Sequence, residues 1–191
     1  MALDTKPVHA FAKAIEFRDW LEVHNADHKG IWLRYFKKAS GQPTINHKDA
    51  VQEALCWGWI DGQAQPGDET SWLVKFTPRG PRSIWSQVNV GLVEQLIAEG
   101  RMRPAGLAAV EAAKADGRWG KAYASTSTFE MPEDFMTALA KNPKAQAFFN
   151  GLNKTQRYAF YHRLHTAKRP ETRERRFKDF LAMLQRGETL H

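Results

Sequence analysis

Two stretches of the chain alternate between hydrophobic and polar residues, and most of the rest follows a helical spacing. Gly30 to Lys37 alternates, with Ile31, Leu33 and Tyr35 on one side and Trp32, Arg34 and Phe36 on the other. Its aromatic and β-branched content predicts a strand. A second alternating stretch runs from Thr70 to Thr77, with Trp72, Val74 and Phe76 set against Leu73, Lys75 and Thr77. Just before it, Trp59 to Ala64 reads as a strand, and Gln65-Pro66-Gly67-Asp68 between the two has turn chemistry. Two strands joined by so short a loop predict an antiparallel hairpin.

Helices account for the remainder. The first is expected over Phe11 to Asn25, with Phe11, Ile15 and Leu21 available for the core. Asn46 is placed to cap a second helix, which Gly58 ends. Beyond Pro81, Ser86 can cap a helix carrying Val90, Val93, Leu96 and Ile97, stopped at Gly100, and Pro104 can open another ending near Gly117. Residues 118–130 read as a loop anchored by Trp119 and Tyr123. Pro132, Pro143, Asn153 or Thr155, and Pro170 open four more helices. The last carries Phe177, Phe180, Leu181 and Leu184 at helical spacing, with Gly187 past its end. The predicted class is α+β, a small antiparallel sheet packed with helices and followed by an all-helical C-terminal part. The expected organisation is an α+β domain with a β-hairpin over 1–125 and a helical region over 126–191 packed on it.

Composition narrows the setting. A chain of 191 residues, 42% hydrophobic, is long enough for a sizeable core. The single cysteine, Cys56, allows no internal disulfide and fits a reducing compartment. The stretch from Met1 to Pro7 has no apolar run suited to a signal peptide, and no segment is suited to a membrane span. A cytoplasmic location is therefore expected. The net charge of +7 sits mainly at the C-terminal end, where residues 151–191 hold 10 Lys/Arg against 4 Asp/Glu.

Several runs carry a family resemblance. They are Ala54-Leu55-Cys56-Trp57-Gly58-Trp59-Ile60-Asp61-Gly62-Gln63, the stretch from Phe76 through Thr77-Pro78-Arg79-Gly80-Pro81-Arg82-Ser83-Ile84-Trp85-Ser86, Gly100-Arg101-Met102-Arg103-Pro104-Ala105-Gly106-Leu107, and Thr166-Ala167-Lys168-Arg169-Pro170-Glu171-Thr172-Arg173. Over nearly the whole chain the sequence resembles the YdeI/OmpD-associated (bacteriocin-protection) family. The resemblance implies a role in protection against bacteriocins or other envelope stress. It implies no defined reaction and brings no catalytic set.

Two surfaces are candidates for function. In the first, Trp59, Asp61 and Gln63 alternate along one hairpin strand, Lys75 lies on its partner, and Arg79, Arg82 and Trp85 follow in the exit loop. Tryptophans can stack on a ring, paired arginines can grip an anion, and a carboxylate can orient a polar group. The same residues can equally be core aromatics with an Asp61–arginine ion pair. Asp61 can also form an acid–base set with Lys75 or His47 if the fold joins them. In the second surface, Arg169, Arg173 and Arg176 fall on one side of the last helix, where a basic strip can track phosphates, or can simply be a solvated face interrupted by Glu171, Glu174 and Asp179. The pairs His24/His28 and His162/His165 lack a third ligand, so no metal is expected. No phosphate loop or nucleophile elbow occurs, and no cofactor is implied. These residues favour a non-catalytic binder of a small anionic or aromatic ligand near the hairpin, or of a protein ligand. The alternatives are an enzyme acting on an anionic small molecule at that site, or weak non-specific nucleic-acid or acidic-partner binding by the C-terminal helices.

Overall fold

The expected hairpin forms one edge of a four-stranded sheet. In the computed structural model, which describes residues 6–27 and 29–190, β3 (Trp59–Pro66) pairs antiparallel with β4 (Ser71–Pro78). Asp68 fastens the turn between them. Its Oδ1 accepts hydrogen bonds from the Thr70 backbone N–H at 3.0 Å and from the Thr70 and Ser71 hydroxyls at 2.8 Å. The other edge of β4 pairs antiparallel with β2 (Ile31–Phe36). A short strand that the alternation did not predict, β1 (Val8–Ala10), lies parallel to β2, so the order is β1-β2-β4-β3 and the sheet is mixed. Three residues are too few to display a period of two.

Register assigns the faces. Ile31, Leu33 and Tyr35 stand opposite Phe76, Val74 and Trp72, and Asp61 stands opposite Phe76. Directly paired residues share a face, so these side chains line one side of the sheet. Helices α1 (Ala14–His24) and α2 (His47–Cys56) belong to that side. Phe17 of α1 meets Phe76 edge-on at 5.6 Å. The buried face of α1 is Phe17 and Leu21, whereas Ile15 is exposed. The helix starts at Ala14, so Phe11 precedes it, and of the three residues expected to face the core only Leu21 lies on its buried face.

Capping follows the sequence closely. Asn46 Oδ1 accepts from the Asp49 N–H at 2.9 Å and starts α2. Gly58, at φ +73°, turns the chain into β3 where a Cβ would sit 2.8 Å from the Ala105 carbonyl oxygen. That carbonyl belongs to α4 (Pro104–Ala115), which follows α3 (Gln87–Ala98).

The chain divides into two compact units. One comprises the residues up to Ser83 together with Asn89–Lys121, and the other comprises Ile84–Val88 together with the residues from Ala122 on. The second unit is helical: α5 (Glu133–Ala140), α6 (Pro143–Gly151), α7 (Lys154–His165) and α8 (Pro170–Arg186). Its core joins Phe135, Leu139, Phe149, Phe160, Phe180 and Leu184, with Phe177 and Leu181 partly buried against them. Asn153 and Gln156 form a reciprocal capping box on α7, and Gly187, at φ +76°, ends α8. The fold is α+β with a helical C-terminal part.

Candidate functional site

A cleft of the first unit opens beside the β2–β4 pair. Tyr35 and Trp72 face each other across the two strands and stack, with ring centres 5.4 Å apart and planes 14° from parallel. Tyr35 is buried, while Trp72 is 38% exposed, a large exposure for an indole. The segment leading from β2 into α2 closes the cleft with Lys38, Gln42, Asn46 and His47. The Phe36 N–H donates to Thr44 Oγ1 at 3.3 Å, and the Ile45 N–H to the Phe11 carbonyl at 2.9 Å, which hold this segment to the body of the unit. The volume is about 570 Å³.

A polar cluster backs one wall. His47, in the first turn of α2, places Nε2 3.2 Å from Asp61 Oδ2. The Tyr35 ring lies 6.0 Å from the His47 ring. The Tyr35 hydroxyl is shielded from water and has no hydrogen-bond partner among the described residues. Burial pushes its phenol above the usual range, and the nearby Asp61 carboxylate adds to the push.

The hairpin residues singled out by the sequence are dispersed. Trp59 is buried, donates Nε1–H to the Asn25 carbonyl at 3.3 Å and meets Trp20 edge-on at 5.8 Å, so it is core. Asp61 pairs with His47 rather than with Arg79 or Arg82. A β-bulge between Asp61 and Ala64 breaks the alternation, which removes exposed Gln63 from the expected series. Lys75 neighbours Phe76 and so projects from the opposite face, where its Nζ lies 5.7 Å from the Trp32 ring centre. Of the two partners considered for Asp61, the fold supplies His47. Arg79 is half-buried and its backbone N–H donates to the Gly58 carbonyl at 2.8 Å, while Arg82 is exposed. Trp85 is buried in the second unit. Tyr35, Trp72 and Lys38 were absent from the sequence-derived site. The cue was available in the cross-strand alternation, but reading it required the register.

The basic strip is interrupted. Arg173 Nη1 lies 2.8 Å from Asp134 Oδ2, and Arg176 is half-buried and donates to the Arg163 carbonyl. Arg169 is exposed. His162 meets the Tyr123 ring edge-on at 4.8 Å, and burial, with His165 and arginine charge adding, lowers its pKa. His28 lies outside the described residues. The Cys56 thiol is pushed up to about 11 by burial, with Glu53 adding and three arginines opposing, which makes it a poor nucleophile at neutral pH.

Residues 9–109 match the model of a domain of unknown function, DUF8412. The chain belongs to the DUF8412 family. Residues 128–187 match a second model, "Bacteriocin-protection, YdeI or OmpD-Associated". The DUF8412 segment holds the whole cleft, and the YdeI/OmpD-associated segment holds α5 to α8. The expected resemblance to the YdeI/OmpD-associated family is met over residues 128–187, which include the Thr166–Arg173 run, while the runs between Ala54 and Leu107 fall within the DUF8412 match. No curated protein and no solved structure matches the chain. Among the described residues, no helix is long and apolar enough to cross a membrane.

Proposed function

We propose that the chain is a non-catalytic binding protein with a stress- or bacteriocin-protection role, and that it takes a small aromatic or anionic ligand in the cleft over Tyr35 and Trp72. The observation that carries this reading is the 38% exposed Trp72, stacked on a buried tyrosine in a cleft of about 570 Å³. Ligand pockets have this size and this mixture of aromatic wall and few polar groups. Lys38 and His47 supply the polar contacts for an anionic substituent. The protective role rests on the YdeI/OmpD-associated segment. A cytoplasmic setting belongs to the proposal and agrees with the single buried thiol of Cys56.

The test is ligand-observed NMR with a panel of aromatic carboxylates against the full chain and its Trp72→Ala variant. Binding that weakens about 3- to 10-fold in the variant is expected from loss of stacking. Equal binding by both proteins, or none by either, overturns the proposal. The His47–Asp61 contact favours a second reading, an enzyme in which His47 moves a proton on an anionic small molecule. In that case His47→Gln abolishes turnover of a bound compound while leaving its affinity within a few-fold.

A further inference from the structure

The lining of the cleft over Tyr35 and Trp72 includes one histidine, the side-chain type whose charge changes near neutral pH. His47 opens α2 and leaves half of its side chain exposed. Its Nε2 lies 3.2 Å from Oδ2 of Asp61 on β3, a carboxylate that is itself partly exposed. The Tyr35 ring of β2 lies 6.0 Å from the imidazole and the Phe76 ring of β4 lies 6.4 Å from it, so two buried aromatic residues back this pair.

The other charged and titratable groups around His47 leave its pair with Asp61 to set the charge of this wall. Lys38 supplies an ammonium to the same cleft. On α2 itself Lys48 and Asp49 follow His47, and Asp49 is engaged by the side chain and cap of Asn46. Tyr35 brings a phenol that burial keeps neutral, and Lys75 of β4 projects from the other face of the sheet. With the imidazole neutral, the His47–Asp61 pair carries one negative charge, which repels an anion. With the imidazole protonated, the pair carries no net charge, and the imidazolium has an N–H on each ring nitrogen.

We propose that binding of an aromatic carboxylate in the cleft is coupled to protonation of His47, with Asp61 holding the imidazole in place, so that the ligand is taken up as pH falls and released as pH rises. This rests on the reading of the cleft as the ligand site. It assigns the carboxylate to the His47 wall, since contact with Lys38 alone exchanges no proton. The coupling is reciprocal: a bound anion holds the proton on His47 by as much as the proton strengthens the binding of the anion. One unit of charge about 5 Å from the carboxylate, in a half-exposed site, changes the affinity about 3- to 10-fold.

The experiment is isothermal titration calorimetry of the full chain with naphthoate, and with its neutral counterpart naphthamide, at about pH 8 and about pH 5.5, an interval that spans histidine titration and leaves the charge of naphthoate unchanged. Naphthoate is expected to bind about 3- to 10-fold more tightly at the lower pH. Protons are taken up as it binds, which makes the measured heat depend on the ionisation enthalpy of the buffer. The affinity for naphthamide is expected to stay constant. His47→Gln should flatten the naphthoate response, and Asp61→Asn should raise naphthoate affinity at the higher pH, where the carboxylate repels the ligand most. Absence of binding by either compound at both pH values overturns the reading of the cleft and this proposal together. Equal naphthoate affinity at the two pH values, or a pH response that survives His47→Gln, overturns the coupling alone.

Discussion

Truncating Phe180 tests whether α8 is an integral part of the second unit. The ring is 4% exposed and meets Phe160 edge-on at 5.2 Å, in a core that includes Phe135, Phe149 and Leu184. Phe180→Ala removes about 100 Å² of ring surface from that core, worth ~2.5 kcal/mol at ~25 cal/mol/Å². The lost edge-to-face pair and the cavity left behind bring the total to about 3–5 kcal/mol, as for other core phenylalanines. For a chain of this size each kcal/mol moves the melting point ~2–4 °C, so a fall of about 6–20 °C is expected. Thermal melts followed by far-UV circular dichroism measure it. Lys178→Ala on the same helix is the control. It breaks only an exposed i,i+4 pair with Glu174 and should change stability by less than about 0.5 kcal/mol. A Phe180→Ala midpoint equal to that of the control would mean that α8 is not docked, and the helical core described above would be wrong.

Three further expectations follow. Gly106→Ala places a Cβ 2.2 Å from the Cys56 carbonyl oxygen, a backbone atom that cannot rotate away. It should therefore lose about 1–3 kcal/mol in denaturant unfolding, where the same change in an open helix gains stability, and a gain here would contradict the α2–α4 packing. Hydrogen bonds from Ser71 and Thr70, with Arg34 charge adding, hold the Asp68 carboxyl down to about 2. A depressed carboxylate stabilises the fold above its unfolded pKa near ~4, and that contribution is lost as pH falls toward ~2. Asp68→Asn should thus flatten the pH dependence of melting across that interval, and an unchanged slope would refute the role of the turn. Replacing Arg169, Arg173 and Arg176 together with Ala should remove a weak binding of random DNA, seen by fluorescence anisotropy at low salt and absent near physiological salt. Tight, salt-resistant and sequence-selective binding by the wild type would make the basic end the primary surface.

Local chemistry was the legible part of the sequence. Asn46, Asn153, Gly58 and Gly187 mark helix ends because each satisfies or permits a backbone geometry within a few residues of itself. The Pro-Gly turn and the flanking alternation likewise announced β3 and β4. The candidate site was less legible because it depends on register between distant strands. Tyr35 and Trp72 are 37 residues apart, and only the β2–β4 pairing places them face to face. The bulge after Asp61 could not be read from Gly62 alone, so Gln63 was assigned to a series that the backbone interrupts. Asp61 was singled out for its chemistry, but its partner was set by α2 crossing the sheet, which brings His47 to it ahead of either arginine. At the basic end, helical spacing grouped Arg173 with Arg169 and Arg176, whereas the guanidinium of Arg173 lies 6.0 Å from the Phe177 ring centre and the acid that engages it, Asp134, lies 39 residues earlier on α5.

The most direct test of the cleft is a crystal structure of the full chain soaked with an aromatic carboxylate selected from the NMR panel. Electron density for the ring against the exposed face of Trp72, with the carboxylate turned toward Lys38 or His47, is the predicted result. Density for the compound elsewhere, for instance against Arg79 and Arg82, with the space over Trp72 left to solvent, would contradict it.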